Sequence, residues 1–187
     1  MRLRGLAPIV GAKPRVLVLG SFPSAASLAA QQYYAHPRNQ FWRILGAVLD
    51  ADLHHADYTV RCDAVRAAGI AIWDSYATCV RPGSLDSAIR EAVPTDVAGL
   101  IRESAPATDV NVPAVDQKSA LAGRRQTGSA AGIVRVCFNG RSAAKREREI
   151  AALGVETVVL PSTSPAHAGM RFEEKLACWR AALEVAG

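Results

Sequence analysis

Val16-Leu17-Val18-Leu19-Gly20-Ser21-Phe22-Pro23-Ser24 is the stretch on which the fold turns. Arg15 to Leu19 is short, apolar and bounded by glycine, which reads as a strand buried on both faces, as in a parallel sheet. The loop after it is small, rich in hydroxyls and stiffened by proline. The same pattern recurs near the other end, where Thr157-Val158-Val159-Leu160 runs into Pro161-Ser162-Thr163-Ser164-Pro165. Loops that leave the carboxyl ends of parallel strands gather on one edge, where ligands bind. Two such loops make a rigid lip that offers hydroxyls and backbone N–H groups to phosphates. Between them lies Tyr33-Tyr34-Ala35-His36-Pro37-Arg38-Asn39-Gln40-Phe41-Trp42, the densest aromatic and polar stretch in the chain.

Outward from these segments, strand alternates with helix. Asn39 to Leu49 carries Phe41, Trp42, Leu45, Val48 and Leu49 at helical spacing, and Tyr58 to Ala68 is a second helix that Gly69 ends as a C-cap. Ile70 to Trp73 is a strand. Leu85 to Ala92 and Asp96 to Glu103 read as two brief helices. Ile133 to Phe138 and Glu156 to Leu160 are strands, with an amphipathic helix from Arg141 to Leu153 between them. Arg171 to Val185 closes the chain as a helix with Phe172, Leu176, Trp179 and Leu183 on one stripe. Four apolar strands separated by helices predict an α/β fold, a three-layer α/β/α arrangement around a central four-stranded parallel sheet with right-handed connections. One domain over 1–187 is expected. Residues 104–132 lack apolar periodicity and read as a flexible surface insertion in which Arg124 and Arg125 offer a further DNA contact.

The composition is that of an ordinary globular chain: 187 residues, 50% hydrophobic, 21% charged, net charge +5. The basic surplus fits a polyanionic partner without establishing one. Lysines are few: Lys13, Lys118, Lys145 and Lys175. Cys62, Cys79, Cys137 and Cys178 show no metal-binding spacing and read as buried, reduced thiols. No signal peptide is expected, and no apolar run reaches the about 18 residues a membrane helix needs.

Gly-Ser-Phe-Pro-Ser at 20–24, the 33–42 segment, Trp73-Asp74, Cys79 to Asp86, Phe138-Asn139-Gly140 and Leu-Pro-Ser-Thr-Ser-Pro-Ala at 160–166 fall in one order along the chain. Together they resemble the uracil-DNA glycosylase superfamily, and within it the DNA-deoxyinosine (hypoxanthine) glycosylases, sometimes counted as family six. The 104–132 segment is longer than that family's pattern. The resemblance implies a base-excision enzyme that extrudes a deaminated nucleotide, holds the base in a pocket and hydrolyses its N-glycosidic bond. It implies a monofunctional, water-mediated reaction without cofactor or metal. The implied partner is DNA containing deaminated bases, met by a monomer in the cytoplasm at the nucleoid. The absence of lysines from the motifs argues against a Schiff-base step. Two other readings stay open: a uracil- or xanthine-directed mismatch glycosylase of the same fold, and a non-catalytic DNA-binding relative.

The resemblance also distributes roles. Superfamily members often carry Asp or Asn two residues after the first motif's glycine, and a His at the head of the last motif. Phe22 and Leu160 stand there instead, as in the hypoxanthine group, where the Asn of the His-Pro-x-Asn segment is essential. That residue is Asn39, whose amide can orient a water and donate to the base, and which can also cap the following helix. Gly20, Ser21, Phe22, Tyr34 and Asp74 are the expected base-binding residues. Tyr34 is the stacking partner, with Phe41 as another candidate or as core. Asp74 either accepts N1–H of hypoxanthine or is structural. Ser24, Ser27, Ser162, Thr163 and Ser164 are expected to clamp phosphates. His36 and His167 border the loops, where either can meet a phosphate or donate a proton near neutral pH, or simply lie on the surface, and Pro165, Ala166 and His167 are placed to wedge the duplex.

Overall fold

The computed structural model describes residues 1–105 and 132–184. Its centre is a four-stranded parallel sheet built from β2 (Val16–Gly20), β3 (Ile70–Asp74), β6 (Arg135–Asn139) and β7 (Glu156–Leu160), in the order β3-β2-β6-β7. The expected sheet is therefore present. Successive residues of β2 face opposite sides, as a strand dictates. Val16 and Val18 enter one core, with Ile70, Ile72 and Leu160. Leu17 and Leu19 enter the other, with Ala71, Val136 and Phe138.

Helices cover both faces. The first core is closed by α2 (Phe41–Leu49), α3 (Tyr58–Ala67) and α6 (Phe172–Leu183). From α2, Phe41, Trp42, Ile44 and Leu45 are all buried; each such side chain contributes roughly 1.5–3 kcal/mol of transfer free energy. Gly69, at φ +68°, ends α3 in the left-handed conformation expected of it. The second core is closed by α4 (Val97–Ser104) and α5 (Glu147–Ala151). A short α1 (Ala25–Ala30) follows the first loop.

Three expectations are corrected. Leu85 to Ala92 is not a helix: one 3₁₀ turn at Asp86–Ala88 gives way to the strand β5 (Arg90–Pro94). Its apolar spacing imitates a helix, but Leu85 is 63% exposed, and pairing with a neighbouring strand overrides the weak local preference. That neighbour is β4 (Tyr76–Val80), which pairs antiparallel with β5 and with β1 (Arg2–Arg4) in a second, three-stranded sheet that sequence reasoning did not anticipate. The single residue Ser75 turns the chain from one sheet to the other. Its N–H donates to the Gly20 carbonyl (2.8 Å) and its hydroxyl to the Ala143 carbonyl (2.9 Å). The helix expected over 141–153 is a 3₁₀ turn (Ala143–Arg146) followed by the short α5. Cys62, Cys79 and Cys137 are buried free thiols, but Cys178 is exposed.

The expected insertion falls almost wholly outside the described residues, as do Arg124 and Arg125. Its first residue, Ser104, ends α4, and its hydroxyl accepts the Ile133 N–H at 3.1 Å. Among the described residues, no helix is long and apolar enough to cross a membrane.

Candidate active site

Parallel register brings the carboxyl ends of the strands to one edge. Gly20 is opposite Asp74, and Asn139 opposite Leu160. The chain returns to one side of the sheet from β2 and to the other from β6, so the adjacent β2 and β6 form a switch point of the kind that opens a crevice. A cavity of about 600 Å³ lies there, within the usual range for ligand sites. The fifteen residues that the motifs assign to catalysis, base binding or DNA binding line it, whereas Phe41, the other stacking candidate, does not.

The lips are fastened from behind. Asn139 grips Thr163 twice: Nδ2 donates to Thr163 Oγ1 and Oδ1 accepts the Thr163 N–H, both at 2.9 Å. The Thr163 carbonyl in turn accepts the Gln40 N–H at 3.0 Å, tying the last loop to the Asn39 segment. From α6, Lys175 Nζ donates to Gln40 Oε1 (3.0 Å) and to the His167 carbonyl (2.7 Å), and the Trp179 indole donates to the Pro161 carbonyl (3.0 Å). The Arg81 guanidinium is buried, donates to the Pro23 carbonyl and lies 3.8 Å from Asp86. Asn139, Lys175, Arg81 and Asp86 had no role in the sequence reading. Two left a signal: Asn139 ends a strand as Asp74 does, and Lys175 sits four residues before Trp179 on the buried stripe.

Asn39 precedes α2 rather than capping it in the ordinary place. The helix starts at Phe41, Gln40 holds the cap position, and Asn39 Oδ1 accepts the Phe41 N–H from one residue further back (2.9 Å). That donor fixes which amide atom is the oxygen. It leaves the carbonyl one more lone pair and keeps the NH₂ for other partners.

Of the aromatics, Phe41 and Trp42 are core, with Phe41 fully buried. Tyr33 is core as well, and its carbonyl accepts the Trp42 indole N–H at 2.9 Å. Tyr34 lies on Phe41, with ring centroids 3.8 Å apart. Phe22 is buried beneath the Arg81 guanidinium, 5.1 Å from its ring centroid.

Asp74 is 4% exposed and its Oδ2 has no hydrogen-bond partner. Burial, reinforced by the charge of Asp86 and opposed by Arg81, pushes its pKa up to about 7.

The hydroxyl residues divide. Ser27 and Thr163 are buried; Ser27 accepts the Ala35 N–H (3.2 Å), and Thr163 is engaged by Asn139. Ser24, Ser162 and Ser164 are partly exposed on the lips, as are Pro165 and His36, while Ala166 and His167 stand exposed at the tip of the last loop. Among the described residues, no group of three or more His, Cys, Asp or Glu is placed to hold a metal.

Comparison with known proteins agrees with this fold. The model of the uracil DNA glycosylase superfamily matches residues 8–185. A hypoxanthine DNA glycosylase of Methanosarcina barkeri is 28% identical over 167 residues, 89% of each chain. One of the same name from Methanosarcina acetivorans is 31% identical over 164 residues, 88% of this chain and 87% of that one. The solution NMR structure of a candidate uracil DNA glycosylase from Methanosarcina acetivorans superposes with a TM-score of 0.76 at 28% identity, covering 98% of this chain and 97% of that one.

Proposed function

We propose, for a chain that belongs to the uracil DNA glycosylase superfamily and is thereby a DNA glycosylase, that its substrate is DNA carrying deaminated bases, hypoxanthine foremost. The observation that carries this reading is the convergence of Asn39, Tyr34, Phe22 and Asp74 on one cavity at the carboxyl edge of the sheet. The two Methanosarcina relatives at 28% and 31% identity are called hypoxanthine DNA glycosylase, which favours the same lesion.

In this reading the extruded base enters against Phe22 with its edge toward Tyr34 and Asp74. The Tyr34 ring already lies on Phe41 and presents its hydroxyl edge. Asp74 accepts the N1–H that hypoxanthine has and adenine lacks. The Gly20 and Ser21 backbone forms the near wall. Asn39 holds the attacking water through the free lone pair of its carbonyl, in an orientation fixed by Phe41 N–H. The water oxygen bonds to C1′, the C1′–N9 pair leaves on the base, and the water proton is released. An abasic site and a free base result. The partly exposed Ser24, Ser162, Ser164 and His36 meet phosphates at the rim. Pro165, Ala166 and His167 fill the gap left in the duplex.

Asn39→Ala tests the assignment. Single-turnover release of hypoxanthine from an inosine duplex should slow by about a hundredfold or more, while affinity for that duplex stays within a fewfold of the parent. Normal release by the variant would remove Asn39 from the reaction.

A further inference from the structure

Tyr34 is held in an unusual way. Its backbone lies at φ +55°, a left-handed conformation rare for a bulky residue and one that persists where its surroundings enforce it. Its ring lies on Phe41, 20° from parallel. Together these bring the hydroxyl to the wall above Gly20, where Asp74 also arrives: a Cβ at Gly20 would run into Asp74 Oδ1 and stand 3.3 Å from Tyr34 Oη. The hydroxyl is buried and has no hydrogen-bond partner, and the same is true of Asp74 Oδ2. Buried polar atoms without partners are uncommon and call for a reason. Asn139 is the polar neighbour that eases ionisation of the phenol, yet its amide does not reach hydrogen-bond geometry with it and is engaged by Thr163. Burial first, then the charge of Asp74, raises the phenol far above its ordinary pKa, so the hydroxyl keeps its proton to donate.

We propose that the Tyr34 hydroxyl and Asp74 Oδ2 are a matched donor and acceptor that read the lactam edge of the extruded base. The hydroxyl donates to the ring carbonyl, and the carboxylate accepts from the adjacent ring N–H. The proposal rests on the glycosylase reading above and narrows its substrates to bases with C=O beside N–H. Hypoxanthine, xanthine and uracil share that edge. Adenine and cytosine reverse it, setting a ring lone pair against the carboxylate. Guanine carries the edge too, with an extra amino group beside it; its exclusion falls to cavity shape and to the cost of extruding a base still paired with cytosine.

The test is binding, above the Asp74 pKa of about 7, to duplexes carrying cleavage-resistant 2′-fluoro analogues of deoxyinosine or deoxynebularine. Nebularine is the same purine without the carbonyl and N–H. The parent should prefer inosine by about ten- to hundredfold. Tyr34→Phe, which keeps the ring on Phe41, should lose most of that preference and leave nebularine binding unchanged. No preference in the parent, an intact preference in the variant, or an equal fall on both duplexes would each overturn the pair. Hypoxanthine release from an ordinary inosine duplex is followed alongside. Release without the preference refutes the pair alone. The preference without release refutes the glycosylase reading and leaves base recognition standing.

Discussion

Gly20 has no side chain where Asp74 needs room: even one added carbon there would displace the carboxyl oxygen. The crowding leaves Asp74 dry, and dryness decides its chemistry. Below its ordinary value of 3.8 the carboxyl is neutral whether the chain is folded or not. Between that value and about 7 the folded protein holds a proton that the unfolded chain has lost, so stability falls as pH rises through this window. Asp74→Asn cannot ionise. Unfolding by urea across the window should show the parent losing stability relative to the variant, and a flat difference would mean that Asp74 is wetter than its burial indicates. At this scale the sequence was legible in which residues meet at the cavity, as with Asn39, Tyr34 and Asp74. The raised pKa was not, because it comes from burial first, reinforced by Asp86 and opposed by Arg81, both brought in on the connection between β4 and β5. Nor was the loss of Ser27 and Thr163 to internal hydrogen bonds, since a hydroxyl's sequence neighbours do not say which side of the backbone it takes.

Among the elements, α6 does more than close the core. Lys175 is buried and donates to two neutral oxygens, one on the Asn39 segment and one on the last loop. Burial lowers its pKa, though the two bonds need only its N–H groups. Lys175→Met keeps the length and apolar stem but frees Gln40 and His167, so the loop bearing Asn39 can drift. Inosine excision should slow by about tenfold to a hundredfold, the scale set by a misplacement near 1 Å, with far-UV circular dichroism unchanged. Full activity in that variant would show that Asn139 and Thr163 suffice to hold the lips. The expected helix over 85–92 failed for a related reason. Its spacing was right, but the apolar side chains had no core to enter, and β4 offered antiparallel backbone pairing instead. β2, β3 and β6 were readable because both of their faces are buried and composition alone marks them; the edge strand β7, with Val159 39% exposed, was readable from its β-branched run. β4 and β5, half-exposed and bent by register shifts, carry no such mark.

For the whole molecule, the parallel sheet and its switch point gather segments from near both ends of the chain into one basin. Superfamily membership and the distribution of the quoted motifs over 20–166 meet in the same cavity. The reaction proposed for this basin is removal of a deaminated purine by hydrolysis at the sugar. The decisive measurement is chromatography of the products from a duplex with a single deoxyinosine, beside the same duplex carrying deoxyadenosine. Free hypoxanthine, a strand that stays intact until alkali opens the abasic site, and no release of adenine are expected. Strand cleavage with inosine still attached, or no hypoxanthine at all, would overturn the proposal.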